Sequence, residues 1–172
     1  TNCYTGNTWN ATACPDNANM ASNCVVDGAD YQASYGASTS GNALTLKMVT
    51  KGSYATNIGS RMAPMASESK YAKFTLLGNE FAMDEDLSKF PCGLNGPVYF
   101  LSRDEDRGRS NNTNNKAGAK YGTGYCDSQT SRDFNFIKGQ GNVGGWKPSS
   151  NDKNVGVGGV GFSSFEMDIA EG

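Results

Sequence analysis

The stretch Phe165-Glu166-Met167-Asp168-Ile169-Ala170-Glu171 sets three carboxylates among apolar residues close to the end of the chain. Side chains of a β-strand alternate between two faces, so Glu166 and Asp168 share one face and the apolar residues beside them share the other. In a regular strand Glu171 would lie on that second face. A β-bulge, which inserts one extra residue, would return Glu171 to the face of the other two acids.

Two interpretations of these acids are open from the stretch alone. Three carboxylates on one surface match retaining glycoside hydrolysis, in which a nucleophile and an acid/base lie about 5 Å apart. Asp168, placed between the other two, would raise the pKa of a neighbour by like-charge repulsion and help to share a proton. However, a solvent-exposed strand also alternates acidic and apolar residues, and it needs no catalytic role.

The composition favours an all-β fold. Of 172 residues 22 are glycine, and Asn, Ser and Thr are abundant, as in chains with many short strands and tight turns. We expect a single domain over residues 1–172, antiparallel and sandwich-like or barrel-like, with long loops and little helix. The net charge of −2 favours neither nucleic acid nor an anionic membrane as a partner. The sequence contains no apolar run of about 18 residues, so we expect no membrane span.

The chain has no histidine. This excludes histidine-dependent nucleophile relays and argues against a catalytic zinc site, which leaves carboxylates as the strongest acid/base candidates. We therefore expect no cofactor and no metal. The five cysteines, at positions 3, 14, 24, 92 and 126, match no zinc spacing and favour disulfides with one thiol left over. Glycosylation sequons at Asn10 and Asn111 add modest weight to secretion.

Local patterns predict one helix and several strands. A short helix is expected over Asp16–Asn23, with Asp16 as its cap. Residues 104–120 form a long polar loop of the kind that often borders a cleft. The predicted strands are Ala43–Val49, Ser60–Met65, Lys73–Leu77, Glu80–Leu87, Pro97–Arg103, Asp133–Ile137 and Gly161–Glu171.

Several longer motifs are more specific than the closing acids. The run Ala117-Gly118-Ala119-Lys120-Tyr121-Gly122-Thr123-Gly124-Tyr125-Cys126-Asp127-Ser128-Gln129 is the most specific of them. The others are Gly6-Asn7-Thr8-Trp9, Cys14-Pro15-Asp16-Asn17, Ser40-Gly41-Asn42, Pro91-Cys92-Gly93-Leu94-Asn95-Gly96, Trp146-x-Pro148-Ser149-Ser150-Asn151 and Glu166-x-Asp168-x-x-Glu171. Together they resemble glycoside hydrolase family 7, the fungal cellobiohydrolases and endoglucanases, over essentially the whole chain.

The resemblance implies a curved sandwich of the jelly-roll type with a groove for a β-1,4-glucan, such as cellulose or a cello-oligosaccharide. It implies Glu166 as the nucleophile, Asp168 as its partner and Glu171 as the acid/base. Disulfides Cys3–Cys24 and Cys92–Cys126 and a secreted location are also implied. The positions that match the groove of the family are Arg61, Asn95, Tyr99, Tyr125, Asp127 and Gln129.

The departures from the family pattern point to a truncated and redesigned N-terminal-half fragment, with part of the sandwich missing. Met20 stands where the family has the cysteine that pairs with Cys14, so Cys14 is expected to be the remaining free thiol. Ala170 replaces a tryptophan beside the acid/base, and Glu85 replaces an apolar residue.

Two functions follow from the resemblance and its departures. One is a retaining β-1,4-glucanase, whose activity we expect to be weak in this truncated form. The other is a non-catalytic glucan-binding module or an inactive scaffold. Either form could self-associate through an exposed sheet face.

Overall fold

A computed structural model of the chain describes residues 1–26, 28–53, 55–115, 118–121 and 132–172. In these ranges short strands predominate and helices are short, which confirms the predicted all-β class. The helices are α1 (Asn17–Asn23) and α2 (Tyr31–Tyr35), and a 3-10 turn covers Gly118–Tyr121. The strands are β1 (Tyr4–Thr5), β2 (Thr8–Trp9), β3 (Ala37–Ser40), β4 (Ala43–Leu46), β5 (Val49–Lys51), β6 (Thr56–Ile58), β7 (Met65–Ser67), β8 (Lys70–Tyr71), β9 (Val98–Leu101), β10 (Phe136–Ile137), β11 (Gln140–Gly141), β12 (Lys147–Pro148), β13 (Gly156–Val157) and β14 (Glu166–Ala170).

The strands of the described ranges pair into seven antiparallel ladders of two strands each. Six of these ladders join strands that follow each other in the chain, as hairpin turns require. The remaining ladder joins β9 to β14 and therefore brings together segments about 65 residues apart. This long-range pair carries the three acids.

The best-packed part of the chain surrounds α1. Asp16 caps the helix by accepting a hydrogen bond from the Asn19 backbone N–H at 2.8 Å, as predicted. Met20 is fully buried and packs with Cys14, Cys24 and Phe136. The helix approaches β11 so closely that a Cβ at Gly141 would lie 2.7 Å from the Asn17 carbonyl oxygen and would also overlap the Met20 side chain, so this position requires glycine.

Several strand predictions were wrong. The Ala43–Val49 pattern divides into β4 and β5, with a break at Lys47 and Met48. Of the Ser60–Met65 pattern, which contains Pro64, only Met65 enters a strand.

The segments Lys73–Leu77 and Glu80–Leu87 also form no strand, and a turn at Gly78 joins them. Their aromatic residues are instead held by ring contacts. Phe74 and Phe81 pack edge-on against Phe100, with ring centroids 5.4 and 5.1 Å away. Apolar alternation is therefore satisfied here by packing on β9 rather than by backbone pairing.

The surface of the chain is unusually large for its mass. Its accessible area is 11491 Å², whereas a compact monomer of this size would expose about 8,100 Å². Many large apolar side chains contribute, including Leu77 at 92% exposure and Phe165 at 88%. In the part of the chain that is described, no helix is long and apolar enough to cross a membrane.

Candidate active site

The acidic stretch forms β14, which pairs antiparallel with β9. Glu166 lies opposite Leu101, Met167 opposite Phe100, and Asp168 opposite Tyr99. Directly paired residues share one face of a sheet, so Glu166, Asp168 and Tyr99 lie on one side. Met167 and Phe100 lie on the other, where Phe100 receives Phe74 and Phe81.

A bulge follows Asp168. In a regular ladder Ile169 would lie opposite Val98, the next residue along β9. Instead Ala170 pairs with Val98, so the register shifts by one residue. Val98 and Tyr99 are neighbours on β9 and therefore point to opposite faces, so Ala170 faces away from Asp168. Glu171 comes next and falls back on the face of Asp168. The extra residue is Ile169, and the bulge considered in the sequence analysis is present.

Backbone hydrogen bonds continue the β9–β14 pairing beyond both ends of the ladder. The Ser102 N–H donates to the Phe165 carbonyl at 2.9 Å, before the first acid. The Gly96 N–H donates to the Gly172 carbonyl at 2.8 Å, immediately after Glu171. The last acid is therefore held between two anchored neighbours, although it lies one residue from the end of the sequence.

The negative charges of its neighbours act on Asp168. Desolvation, followed by the negative charges of Glu166 and Glu171 and a hydrogen bond with Glu166, raises the pKa of Asp168 above its ordinary value. Asp168 and Glu171 are solvent-exposed, and Glu166 is half-buried. A carboxyl that keeps its proton more readily than usual, beside a half-buried carboxylate, can donate a hydrogen bond to that neighbour.

Three of the six expected groove residues lie in described segments and surround the acids. Tyr99 is half-buried opposite Asp168, and the Arg61 guanidinium lies 5.6 Å from the centre of the Tyr99 ring. The side-chain amide of Asn95 donates to Glu171 Oε1 at 3.5 Å. The acid face therefore combines negative charge, a cation and an aromatic ring.

The other three expected groove residues, Tyr125, Asp127 and Gln129, lie outside the described residues. So does Cys126, the expected partner of Cys92. Cys92 itself is exposed and has no disulfide partner within the described ranges.

The cysteines near the N-terminus form a separate cluster. A disulfide joins Cys3 to Cys24, the pair that the resemblance implies, and Cys14 is a buried free thiol. The three sulfurs lie within 4.8 Å of one another. Three thiolates so arranged could hold a soft metal ion, but the disulfide leaves only one of them available as a thiol.

Sequence reasoning gave Leu101 and Gly96 no role in the site. Leu101 presents an apolar side chain directly opposite Glu166, and Gly96 anchors the chain beyond Glu171. Their contribution depends on the pairing of β9 with β14, which no local pattern specifies.

The chain matches solved structures of cellobiohydrolases and of an endoglucanase along its length. It is 50% identical to a cellobiohydrolase from Melanocarpus albomyces complexed with cellotetraose, with a TM-score of 0.86 and coverage of 100% of this chain and 40% of that one. A family 7 cellobiohydrolase from Daphnia pulex is 45% identical, with a TM-score of 0.83 and coverage of 100% and 40%. An endoglucanase I complexed with cellobiose is 35% identical, with a TM-score of 0.69 and coverage of 99% and 39%.

The chain thus spans about 40% of the length of these structures. The partial jelly-roll sandwich expected from the resemblance agrees with the matches. The family model described as glycosyl hydrolase family 7 matches residues 1–172. Because that match extends from the first residue to the last and includes the Glu-x-Asp-x-x-Glu strand, the chain belongs to glycosyl hydrolase family 7.

Proposed function

We propose that this chain hydrolyses β-1,4-glucosidic bonds of cellulose or cello-oligosaccharides with retention of configuration. The observation that carries the proposal is the bulge at Ile169. It brings Glu171 to the face that already holds Glu166 and Asp168. Without it Glu171 would lie on the opposite face from Glu166, and these two carboxyl groups could not act together on one glycosidic bond.

The proposed reaction has two steps. Glu166 attacks the anomeric carbon and forms a glycosyl ester, while Glu171 protonates the departing glycosidic oxygen. Glu171 then removes a proton from water, which attacks the same carbon and releases the sugar. Asp168, whose pKa is raised by desolvation and by the neighbouring acids, stabilises the Glu166 carboxylate by hydrogen bonding when it carries a proton.

The surroundings of the acids fit a sugar ligand. The half-buried Tyr99 offers an aromatic surface, and Asn95 and Arg61 offer hydrogen-bond donors on the same side. Tyr125, Asp127 and Gln129 are proposed as further groove residues. Support comes from similar structures, one complexed with cellotetraose and another with cellobiose.

We expect the activity to be weak. Glu171 is exposed, whereas a general acid works best in a partly desolvated site that raises its pKa.

The test compares the chain with Glu166→Gln and Glu171→Gln on a soluble aryl β-cellobioside. The matched control is Glu68→Gln, which removes an exposed carboxylate from the turn between β7 and β8, where Glu68 pairs with Lys120. We expect release of the aryl alcohol by the parent and the control, and a loss of at least about 100-fold in the Glu166 variant. The first sugar released should be the β-anomer by NMR.

Equal background release by all four proteins would refute the enzymatic proposal. Retention of these proteins on amorphous cellulose in that case would favour the non-catalytic binding module, because Tyr99 and Asn95 could still hold a glucan. Failure to bind cellulose as well would leave the inactive scaffold.

We also propose that the chain associates with a second copy through the apolar face of the β9–β14 pair. Met167 and Ile169 on this pair are each 46% exposed. The excess accessible area over a compact monomer is about 3,400 Å², more than the 1,200–2,000 Å² that a stable interface buries.

The Cys3–Cys24 disulfide supports a secreted location, where such bonds persist.

A further inference from the structure

The N-terminal cysteine cluster contains a free thiol placed against a disulfide. Cys14 Sγ lies 3.3 Å from Cys24 Sγ, and Cys24 is bonded to Cys3. This separation is within the range of about 3 to 3.5 Å between reacting atoms. Attack on a disulfide runs in line with the S–S bond, which would place the Cys14 and Cys3 sulfurs farther apart than the 4.8 Å within which they lie, so the Cys14 side chain must rotate before it attacks. The thiol and the disulfide are parts of the same small core, so their approach is not an accident of a surface loop.

The backbone around the cluster holds the two sulfurs near each other. The Asn23 side-chain amide donates to the Ala13 carbonyl at 2.9 Å, which links the residues immediately before Cys24 and Cys14. The Cys24 N–H donates to the Met20 carbonyl at 2.9 Å and closes the end of α1. Cys14 and Cys24 are 2% and 4% exposed.

We propose that Cys14 exchanges with the Cys3–Cys24 disulfide, so that the chain contains an internal thiol-exchange site and a latent modification site at Cys3. The Cys14 thiolate attacks Cys24 Sγ, and the Cys14–Cys24 bond forms as the Cys3–Cys24 bond breaks. The electron pair of the broken bond stays on the Cys3 sulfur, which takes up the proton that Cys14 gave up. One thiol and one disulfide are present before and after, so the step needs neither oxidant nor reductant.

Exposure favours Cys3 as the leaving group. Cys3 is half-exposed, whereas both other cysteines are buried, so water can stabilise a departing Cys3 thiolate. The released thiol is also accessible to small electrophiles and to small disulfides such as those of glutathione type. The exchange therefore converts an inert buried thiol into a reactive one near the surface.

The same environment makes the exchange slow at neutral pH. In the resting state the Cys14 thiol donates to the Cys3 carbonyl at 3.7 Å. Burial raises the pKa of Cys14, so little thiolate is present at neutral pH. Because only the thiolate attacks, the rate should rise about tenfold for each unit of pH below that pKa.

The test treats the folded, non-reduced chain with N-ethylmaleimide and identifies the alkylated cysteine by peptide mass spectrometry. We expect alkylation to accumulate on Cys3, together with a Cys14–Cys24 disulfide. The rate should become independent of reagent concentration at high reagent, because exchange then limits it, and it should rise with pH. The control, Cys14→Ser, keeps the Cys3–Cys24 disulfide and should show no alkylation of Cys3.

Each other outcome would overturn the proposal. Alkylation of Cys14 itself would show that the buried thiol reacts directly, and alkylation of Cys24 would show attack at the wrong sulfur. No alkylation of the three at raised pH would show that no exchange occurs. Cys3 alkylation that persists in Cys14→Ser would show that Cys14 is not the nucleophile. The wild-type pattern decides the first three outcomes without any variant.

Discussion

Asn142 is the position where a single substitution should reveal most about how the acidic strand is supported. Its side chain is fully buried, and its amide nitrogen lies 2.9 Å from the Arg132 carbonyl, 2.9 Å from the Phe134 carbonyl and 3.1 Å from the Val160 carbonyl. Its amide oxygen accepts from the Val160 N–H at 2.9 Å. Val160 stands six residues before Glu166, so this side chain anchors the segment that leads into β14.

The expected loss for Asn142→Ala follows from this geometry. The amide has two hydrogens for three carbonyls and accepts one further bond, which amounts to about three full hydrogen bonds. At about 1 kcal/mol net for each, the variant should lose about 3 kcal/mol, and more if the backbone groups stay buried without water. Native domains have a total stability of about 5–15 kcal/mol, so the loss is substantial.

Urea denaturation followed by tryptophan fluorescence, without reductant, would measure this loss. With a slope of about 2 kcal/mol per molar, the midpoint should fall by about 1.5 M. The matched control is Asn154→Ala at an exposed position, where the change should stay within about 0.5 kcal/mol. Equal midpoints for Asn142→Ala and the control would refute the reasoning, because the buried amide would then contribute nothing beyond a surface residue.

Three further outcomes are expected. Asp168→Asn should stabilise the chain at about pH 7, because the folded protein raises the pKa of Asp168 above its ordinary value and so disfavours the charged form. Between the pKa of Asp168 in the unfolded chain and its higher pKa in the folded chain, the native state binds more protons, so the stability of the unsubstituted chain falls as the pH rises through that window. The stabilisation by Asp168→Asn should therefore fade at about pH 3, where Asp168 is protonated in both states. Thermal melts that show a larger stabilisation at about pH 3 than at about pH 7 would contradict this. Reduction of the Cys3–Cys24 disulfide, which spans 21 residues, should lower the free energy of unfolding by about 3 kcal/mol, measured as a lower urea midpoint. Urea curves that do not change when a phosphine reductant is added would argue against this. Light scattering after size exclusion should give twice the 18.2 kDa monomer mass, and a monomer at every concentration would exclude the proposed association.

Much of the local structure could be predicted from sequence because its causes are local. The cap of α1 by Asp16 requires only residues three positions apart. The alternation of β14 places Glu166 and Asp168 on one face whatever strand pairs with it. The hairpin turn at Gly41, with its positive φ of 58°, requires only a glycine between β3 and β4.

Predictions failed where the partner of a segment decides its structure. Apolar patterns suited to strands occur in Lys73–Leu77 and Glu80–Leu87, but neither segment forms a strand. Their aromatic rings, Phe74 and Phe81, pack on Phe100 instead. A strand exists only when a neighbour completes its hydrogen bonds, and that neighbour cannot be identified from the segment itself.

By itself the sequence determined the chemical inventory of this protein: three carboxylates in one strand, no histidine, and a family pattern that extends over residues 1–172. Only the tertiary structure decided that the bulge lies at Ile169, that Glu171 returns to the face of Asp168, and that Cys14 lies 3.3 Å from the Cys24 sulfur. The physical reason is the same in each case. Side-chain alternation follows from the local backbone, whereas register and contact depend on segments that are distant along the chain and meet only when it folds.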